Sequence, residues 1–260
     1  MTEEKIIKPV IIVGIGQLGG VFARGFLQAG YPVYPVTRDV RFSGFPGRIP
    51  EPALVLLAVP EDGIAEALRE VPTVWRDRIG LLQNELLPYV WEAEKIAAPT
   101  AMAVWFEKKK DREVKVFQPT LVFGPAAGIV CSALTALNIP CEILPDDHHL
   151  VLALVRKNLY VLTINIAGLV VGGTTGELWS NHADLAGAVA RDVLTVMEHL
   201  TGEALDREEM MTSLRDILQR VPDHACRGRV SEARLRRLLA SARRAGLDTP
   251  ALDRIAVRKQ

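Results

Sequence analysis

The segment VIIVGIGQLGGVFARGFLQAG, from Val10 to Gly30, limits what this chain can fold into more than any other stretch. Its apolar run Val10–Val13 predicts a buried strand, and the apolar residues at helical spacing after the glycines predict one face of a helix. Between them lies the turn Gly14-Ile15-Gly16-Gln17-Leu18-Gly19. The first glycine of such a turn permits the tight bend, the second lets a pyrophosphate approach the backbone, and the third lets the helix pack on the strand. This order of elements predicts a dinucleotide-binding turn formed by Gly14, Gly16, Gln17, Leu18 and Gly19.

The end of the second predicted strand, Tyr31–Thr37, bears on the choice of dinucleotide. An acidic residue at this point would hydrogen-bond the ribose of NAD, whereas an arginine accommodates the 2′-phosphate of NADP. The residue at the tip is Arg38, so the sequence favours NADP(H). Two alternatives stay open. A register shifted by one residue would place Asp39 at the tip and favour NAD, and Arg38 could also be a solvated loop residue.

Composition limits the size, partners and cellular location of the protein. The chain has 260 residues, a formal net charge of zero and 49% hydrophobic residues, which is enough to form one large buried core or two smaller ones. The balanced charge argues against nucleic acid as a partner, and we interpret the arginine-rich tail from Arg227 onward as a solvated helix face. Cys131, Cys141 and Cys226 have neither CxxC spacing nor an even count. We therefore expect no metal site and no disulfide framework, and a reducing, cytoplasmic location.

No membrane segment is expected either. The N-terminus, MTEEKIIKP, lacks the basic-then-apolar order of a signal peptide. The most apolar predicted helix, around Leu159 to Val171, is interrupted by Thr163, Asn165 and Gly168, and falls short of about 18 clean apolar residues. The sequence therefore predicts a soluble protein.

The remaining patterns predict an α/β domain over residues 1–145 and an all-helical domain over residues 146–260. Further strands are predicted at Ala53–Val59, Ile79–Gln83 and Cys141–Leu144, with helices between them. The segment Val40 to Pro52 is too short and too rich in proline and glycine for a normal helix and another strand, so this Rossmann-type domain is shortened there. The other predicted helices are Glu61–Val71, Glu85–Glu94, Ala126–Asn138, one from Asp146 to Gly172, Leu185–Leu200, Arg207–Arg220 and Ser231–Ala245.

Lys157 and Asn165 are the candidate catalytic residues. They are eight positions apart on one predicted helix, which places them within roughly 80° of each other and about 12 Å apart along its axis. A lysine can donate a proton to a carbonyl oxygen if burial lowers its pKa from about 10.4 toward neutral, and an asparagine can orient a substrate. The alternatives are a lysine that extends to solvent and an asparagine that serves helix packing.

These residues together give the chain a resemblance to the ketopantoate reductase (2-dehydropantoate 2-reductase) family. The glycine turn is similar to the family's opening motif, Arg38 to its 2′-phosphate arginine, and Leu82-Gln83-Asn84 to its QNG segment. The order Lys157, Asn165, then Thr175-Gly176-Glu177-Leu178 resembles the family's substrate helix and its Asn-Gly-Glu-Leu turn. The resemblance spans nearly the whole chain.

The resemblance implies a reductase that uses NADPH to convert ketopantoate, a branched 2-oxo acid, to pantoate on the path to vitamin B5 and coenzyme A. It implies Lys157 as the general acid, with Asn165 and Asn84 positioning substrate and cofactor. The sequence departs from the family at Val161, which replaces a second helix asparagine, and at Pro60, which replaces a lysine. Glu85 replaces the glycine after Asn84, and Glu232 lies out of register with the family's late glutamate.

The sequence is therefore compatible with two functions from different classes. The first is an NADPH-dependent reductase of a small 2-oxo acid. The second is a catalytically degenerate Rossmann-type protein that serves as a nucleotide-binding sensor or scaffold. The apolar faces of the C-terminal helices, for instance Leu235, Leu238 and Leu239, either close the core or form the seam of a homodimer.

Overall fold

The structure is a computed structural model that describes residues 7–37, 42 and 45–258. The chain divides into two compact units, Met1–Leu154 and Val155–Gln260. The domain boundary proposed from the sequence, between residues 145 and 146, lies earlier in the chain.

The first unit is built on a mostly parallel sheet. Its strands are β1 Val10–Val13, β2 Val33–Val36, β3 Leu54–Leu57, β4 Ile79–Leu81, β5 Thr100–Ala103, β6 Phe106–Glu107, β7 Lys115–Val116, β8 Thr120–Phe123 and β9 Cys141–Ile143. Seven of them form one sheet in the order β2-β1-β3-β4-β5-β8-β9, and β6 and β7 form a separate hairpin. Only the β5–β8 pair of the large sheet is antiparallel. Every residue of β1 and β3 is buried, as expected for central strands of a sheet covered on both faces.

The helices of the first unit cover this sheet. They are α1 Gln17–Gln28, α2 Phe45–Arg48, α3 Ile64–Glu70, α4 Pro88–Glu92 and α5 Ala127–Thr135, with 3-10 turns at Glu61–Gly63 and Thr73–Arg78. Helix α1 packs against α5 so closely that a Cβ on Gly25 would lie 2.5 Å from the carbonyl oxygen of Ala133. Phe22 and Phe26 of α1 are fully buried in the same core. The predicted α/β class is therefore confirmed.

Two predictions for this unit differ from the structure in detail. The helix predicted over Glu85–Glu94 begins only at Pro88, which occupies the first helical position, where a proline costs no hydrogen bond. The helix predicted over Glu61–Val71 begins as the 3-10 turn Glu61–Gly63. The shortening between β2 and β3 is confirmed, because the only regular element in the described part of that segment is α2, a helix of four residues.

The expectation that the cysteines form no disulfide is wrong. Cys131 of α5 and Cys141 of β9 form a disulfide, with their Cα atoms 5.3 Å apart. Helix α5 ends at Thr135, Asn138 adopts a left-handed conformation (φ 56°) three residues later, and the chain then turns back into β9. A spacing of ten residues gives no sign of this proximity, because the reversal of the chain creates it. Such disulfides are uncommon in a reducing cytoplasm, so the cysteines do not support the expected location.

The second unit is helical, as predicted. Its helices are α6 Asp147–Val171, α7 Thr175–Thr201, α8 Arg207–Arg220, α9 Ser231–Ala245 and α10 Pro250–Val257, where α6 starts within the first unit. The bounds of α8 and α9 agree with the sequence-based ones. Thr174 and Glu177 form a capping box at the start of α7. Helix α7 starts ten residues before the predicted Leu185, and non-helical backbone angles at His182 kink it.

Helix α6 is apolar enough and long enough to cross a membrane, contrary to the sequence-based expectation. However, 83% of its most apolar window is buried inside the protein. This burial is typical of a core helix, because a membrane-spanning helix exposes its apolar side chains to lipid.

Helices α9 and α10 close the core of this unit. Leu235, Leu238 and Leu239 of α9 are each only 5% exposed within the single chain, so of the two interpretations the structure supports core closure. The carboxylate of Asp192 accepts hydrogen bonds from the backbone amides of Ala251 (2.7 Å) and Leu252 (3.1 Å), and thereby fixes the N-terminus of α10. Burial raises the pKa of this carboxyl group, although the two amides act in the opposite direction.

Candidate functional site

The three glycines of the first turn have different surroundings. Gly14 adopts a φ of 89°, and a Cβ there would lie 2.7 Å from the carbonyl oxygen of Ala58. A Cβ on Gly19 would lie 2.0 Å from the carbonyl oxygen of Gly14. A Cβ on Gly16 would meet nothing within 4 Å. Gly14 and Gly19 are therefore required by packing, whereas the missing side chain of Gly16 leaves open space at the start of α1.

This open space is suited to an anion. Ile15, Gly16 and Gln17 are exposed, so no neighbouring side chain covers the bend. The first turn of α1 carries no acidic residue. Amide N–H groups at the start of a 12-residue helix lack intrahelical partners and lie at its positive end. The turn therefore has the shape and the donors that a diphosphate requires.

Asn84 lies at the same edge of the sheet as this turn. Gln83 is 5% exposed, and its side-chain amide donates to the carbonyl oxygens of Leu57 (2.7 Å) and Val59 (3.0 Å), which ties the carboxyl end of β4 to that of β3. The backbone amide of Asn84 donates to Glu61 Oε1 at 3.2 Å. Strand β3 lies between β1 and β4 in the sheet, so the glycine turn and Asn84 follow parallel strands on either side of it. Ligands of open α/β sheets bind at this carboxyl edge.

Arg38 and Asp39 lie outside the described residues, so the structure does not bear on the choice between NADP and NAD. Pro60 and Val161, two of the positions at which the sequence departs from the ketopantoate reductase pattern, lie in the described part of the chain. Pro60 has an extended backbone conformation and directly precedes the 3-10 turn Glu61–Gly63. Val161 is 6% exposed and forms part of the core.

The two candidate catalytic residues lie on α6 in the second unit. Lys157 is 5% exposed and Asn165 is 6% exposed. The alternative in which the lysine side chain extends into solvent is therefore wrong. The continuous helix keeps the two residues about 12 Å apart along its axis and roughly 80° apart around it.

Asn165 belongs to a buried polar network that the sequence did not reveal. Its side-chain oxygen Oδ1 accepts a hydrogen bond from Ser231 Oγ (2.9 Å) and another from an Arg234 guanidinium nitrogen (2.8 Å). Ser231 is 1% and Arg234 7% exposed. The interpretation of the tail as a solvated face is therefore wrong for Arg234. The available signal was the spacing of Arg234, one position before Leu235 and four before Leu238, which places it on the apolar face of α9.

The loop between α8 and α9 is held against the start of α7. Thr174 and Ala225 form an isolated antiparallel bridge, and the amide of Cys226 donates to the carbonyl oxygen of Gly173 at 2.9 Å. Tyr160 of α6 hydrogen-bonds and stacks on His224 of this loop. Burial, and to a smaller extent the Glu177 carboxylate, raise the pKa of the Cys226 thiol to about 11. Cys226 is therefore a protonated, unreactive thiol at neutral pH.

An open cavity of about 460 Å³ adjoins the same loop, lined by Leu169, Arg227, Gly228, Arg229 and Glu232. Arg227 and Glu232 approach each other at 3.6 Å, and both side chains are more than half exposed. Among the residues that the structure describes, no cluster of three or more histidine, cysteine, aspartate or glutamate side chains could hold a metal ion.

The fold matches known enzyme structures, although the sequence does not match any family. No family model matches the chain, and no curated protein does. The structure is similar to that of 2-dehydropantoate 2-reductase from Methylococcus capsulatus, with a TM-score of 0.72 at 13% identity, over 96% of each chain. A complex of D-mandelate dehydrogenase with NADH matches with a TM-score of 0.67 at 14% identity, over 95% of this chain and 96% of that one. A dimeric ketopantoate reductase from Staphylococcus aureus matches with a TM-score of 0.65 at 16% identity, over 95% of each chain. The chain therefore has the fold predicted from its motifs.

Proposed function

We propose that the protein is a reductase that uses a nicotinamide dinucleotide, preferentially NADPH, to reduce a small 2-oxo acid. The observation that carries this proposal is the open space at Gly16, at the start of α1 and at the carboxyl edge of a parallel sheet. The shared fold supports it, since two of the three similar structures named above are ketopantoate reductases by name. The preference for NADPH rests on Arg38 alone, and the NADH complex of D-mandelate dehydrogenase makes NADH the necessary comparison.

In the first unit, the chain binds and orients the cofactor. The amides at the start of α1 bind its pyrophosphate, and Gly16 lets the backbone approach closely. Arg38 pairs with the 2′-phosphate, and Asn84 lies toward the nicotinamide end, as the family resemblance implies. When bound, reduced nicotinamide supplies a hydride.

In the second unit, α6 supplies the groups that act on the substrate. Lys157 holds the proton that the substrate's carbonyl oxygen takes up. The side-chain amide of Asn165 donates to a second substrate oxygen and fixes the orientation of the acid. Both groups are buried, which strengthens a hydrogen bond by excluding competing water.

Cofactor binding provides the first test. Calorimetric titration with NADPH, NADP and NADH should show micromolar binding of NADPH. The variant Gly16→Glu places a carboxylate in the open space, and should abolish binding without unfolding the protein, because a Cβ at this position meets no neighbour. Gly128→Glu is the matched control, since Gly128 is an exposed glycine with equally open surroundings near the start of α5. Equal binding by both variants would contradict a phosphate site at Gly16.

Turnover provides the second test. NADPH oxidation is measured at 340 nm, the wavelength at which reduced nicotinamide absorbs, across a panel of branched and linear 2-oxo acids. Lys157→Ala should lower kcat by about 10²–10⁴ and leave NADPH affinity unchanged, as expected for loss of a general acid. Lys115→Ala, at an exposed position on β7, should have no effect. Cofactor binding without turnover of any acid would refute the reductase.

The sensor or scaffold is the second candidate. The four-residue α2 between β2 and β3 favours it, because a shortened segment leaves less protein to surround an adenine. Failure of all three dinucleotides to bind would favour this candidate over the enzyme. A homodimer and a cytoplasmic location are further parts of the reductase proposal, and light scattering after size-exclusion chromatography tests the former.

A further inference from the structure

The carboxamide of Asn165 has a defined orientation. Two protein groups, Ser231 Oγ and the Arg234 guanidinium, donate hydrogen bonds to this carboxamide, and both donate to the same atom. A guanidinium can only donate hydrogen bonds, so the atom that faces Arg234 must be the amide oxygen. The amide nitrogen of Asn165 therefore points away from Arg234.

Ser231 reinforces this orientation. Its hydroxyl accepts a hydrogen bond from the backbone amide of Gly228 at 2.9 Å, so its own hydrogen is available to Asn165. Gly228 lies so close that a Cβ there would be 3.2 Å from Asn165 Oδ1. The oxygen side of the carboxamide is thus enclosed by the start of α9 and the loop before it.

The nitrogen side of the carboxamide is not engaged in the same way. Among residues 7–37, 42 and 45–258, no protein group accepts a hydrogen bond from Asn165 Nδ2. Nor is this atom among the fully buried polar atoms that lack a partner. A side chain that is 6% exposed therefore retains two N–H donors at an accessible point. Because these donors have no partner among the described residues and are accessible, a ligand can accept hydrogen bonds from them.

We propose that Arg234 and Ser231 are positioning residues that hold the Asn165 carboxamide with its N–H groups toward the substrate. This inference rests on the proposed function, since it takes Asn165 as a substrate-binding residue. It adds a requirement on the substrate. The atom opposite Asn165 is a hydrogen-bond acceptor, such as a carboxylate or carbonyl oxygen, and substrates that present a donor there, such as a protonated imine, are rejected. The positive charge of Arg234 on the amide oxygen also polarises the N–H groups and strengthens their bond to an anion.

The test follows the Asn165 side chain directly. In protein labelled with ¹⁵N-asparagine, the carboxamide signals of Asn165 are those that Asn165→Asp lacks. The probe is oxalate, whose paired carboxylates resemble the carboxylate and carbonyl of a 2-oxo acid and which cannot be reduced by hydride. In the wild type, oxalate should shift these signals.

The variants separate positioning from direct contact. Arg234→Leu and Ser231→Ala should each raise the oxalate concentration needed for the shift, by about 10-fold for Arg234→Leu, and Arg234→Lys should restore most of the response. Arg236→Leu, on the exposed face of α9, should behave as the wild type. In the Asn165→Ala background, Arg234→Leu should cause no further loss of oxalate affinity by calorimetry. Melting curves identify any variant that does not fold, and Ser231→Ala is the mildest of the set.

Each result bears on one proposal. A further loss of affinity in the Asn165→Ala background would show that Arg234 contacts the ligand itself, and would overturn the positioning role. The positioning role would also be overturned if oxalate shifted the Asn165 signals equally in Arg234→Leu and in the wild type, or if it caused no shift in the wild type. If the signals respond as expected but no 2-oxo acid is reduced, the positioning role stands and the proposed reductase fails.

Discussion

Reduction of the disulfide between Cys131 and Cys141 should destabilise the first unit. The bridge joins α5 to β9, an edge strand of the sheet that pairs only with β8. The two cysteines are ten positions apart, so the bridge closes a short loop. For a loop of about 11 residues, the loss of chain entropy in the unfolded state corresponds to about 2.8 kcal/mol at 25 °C. For a unit of this size, that should lower the melting temperature by roughly 6–12 °C.

Calorimetric melts with and without a phosphine reductant measure this effect. Cys131→Ser with Cys141→Ser should melt near the reduced wild type and be insensitive to the reductant. Thiol counting in denaturant verifies the starting state, because the oxidised chain has one free thiol, that of Cys226. Three free thiols before reduction would show that the bridge is absent. An oxidised protein whose melting temperature is unchanged by reduction would refute the loop-closure estimate.

Two further predictions concern the second unit. Asp192→Ala removes the acceptor for two amides at the start of α10, so urea denaturation should show a free energy of unfolding lower by roughly 2–4 kcal/mol. Asp192→Asn keeps an acceptor and should cost less. Equal losses of stability in the two variants would refute the capping role of Asp192. The pKa of the buried Cys226 thiol is raised from 9.0 to about 11. Between these values the unfolded chain loses its proton first, so stability should fall with rising pH, by about 3 kcal/mol in total. Cys226→Ala should remove that part of the pH dependence, and an unchanged profile in the variant would contradict it.

Local sequence patterns predicted much of the fold. The run Val10–Val13 and the glycines after it predicted the first strand, turn and helix, because Gly14 and Gly19 have local roles in bending and close packing. The bounds of α8 and α9 agree with the predicted ones, since apolar residues three or four positions apart mark the buried face of a helix.

The candidate site was predictable only in part. Lys157 and Asn165 were predicted to share one helix, and the structure adds that both are buried. The side chain of Asn165 hydrogen-bonds to Ser231 and Arg234, which are 66 and 69 positions away from it in sequence. No local pattern relates residues so far apart, and an arginine in a basic segment is more often exposed than buried.

What the sequence alone determined is the α/β class, the glycine turn after the first strand and the helical second half, because strands, turns and helices follow from interactions between near neighbours in the chain. Only the tertiary structure decided that Cys131 bonds to Cys141, that the long apolar helix α6 is a core helix, and which way the Asn165 amide points. The disulfide depends on how the chain reverses between α5 and β9. The other two features depend on which distant segments pack together, and no short window of sequence contains that information.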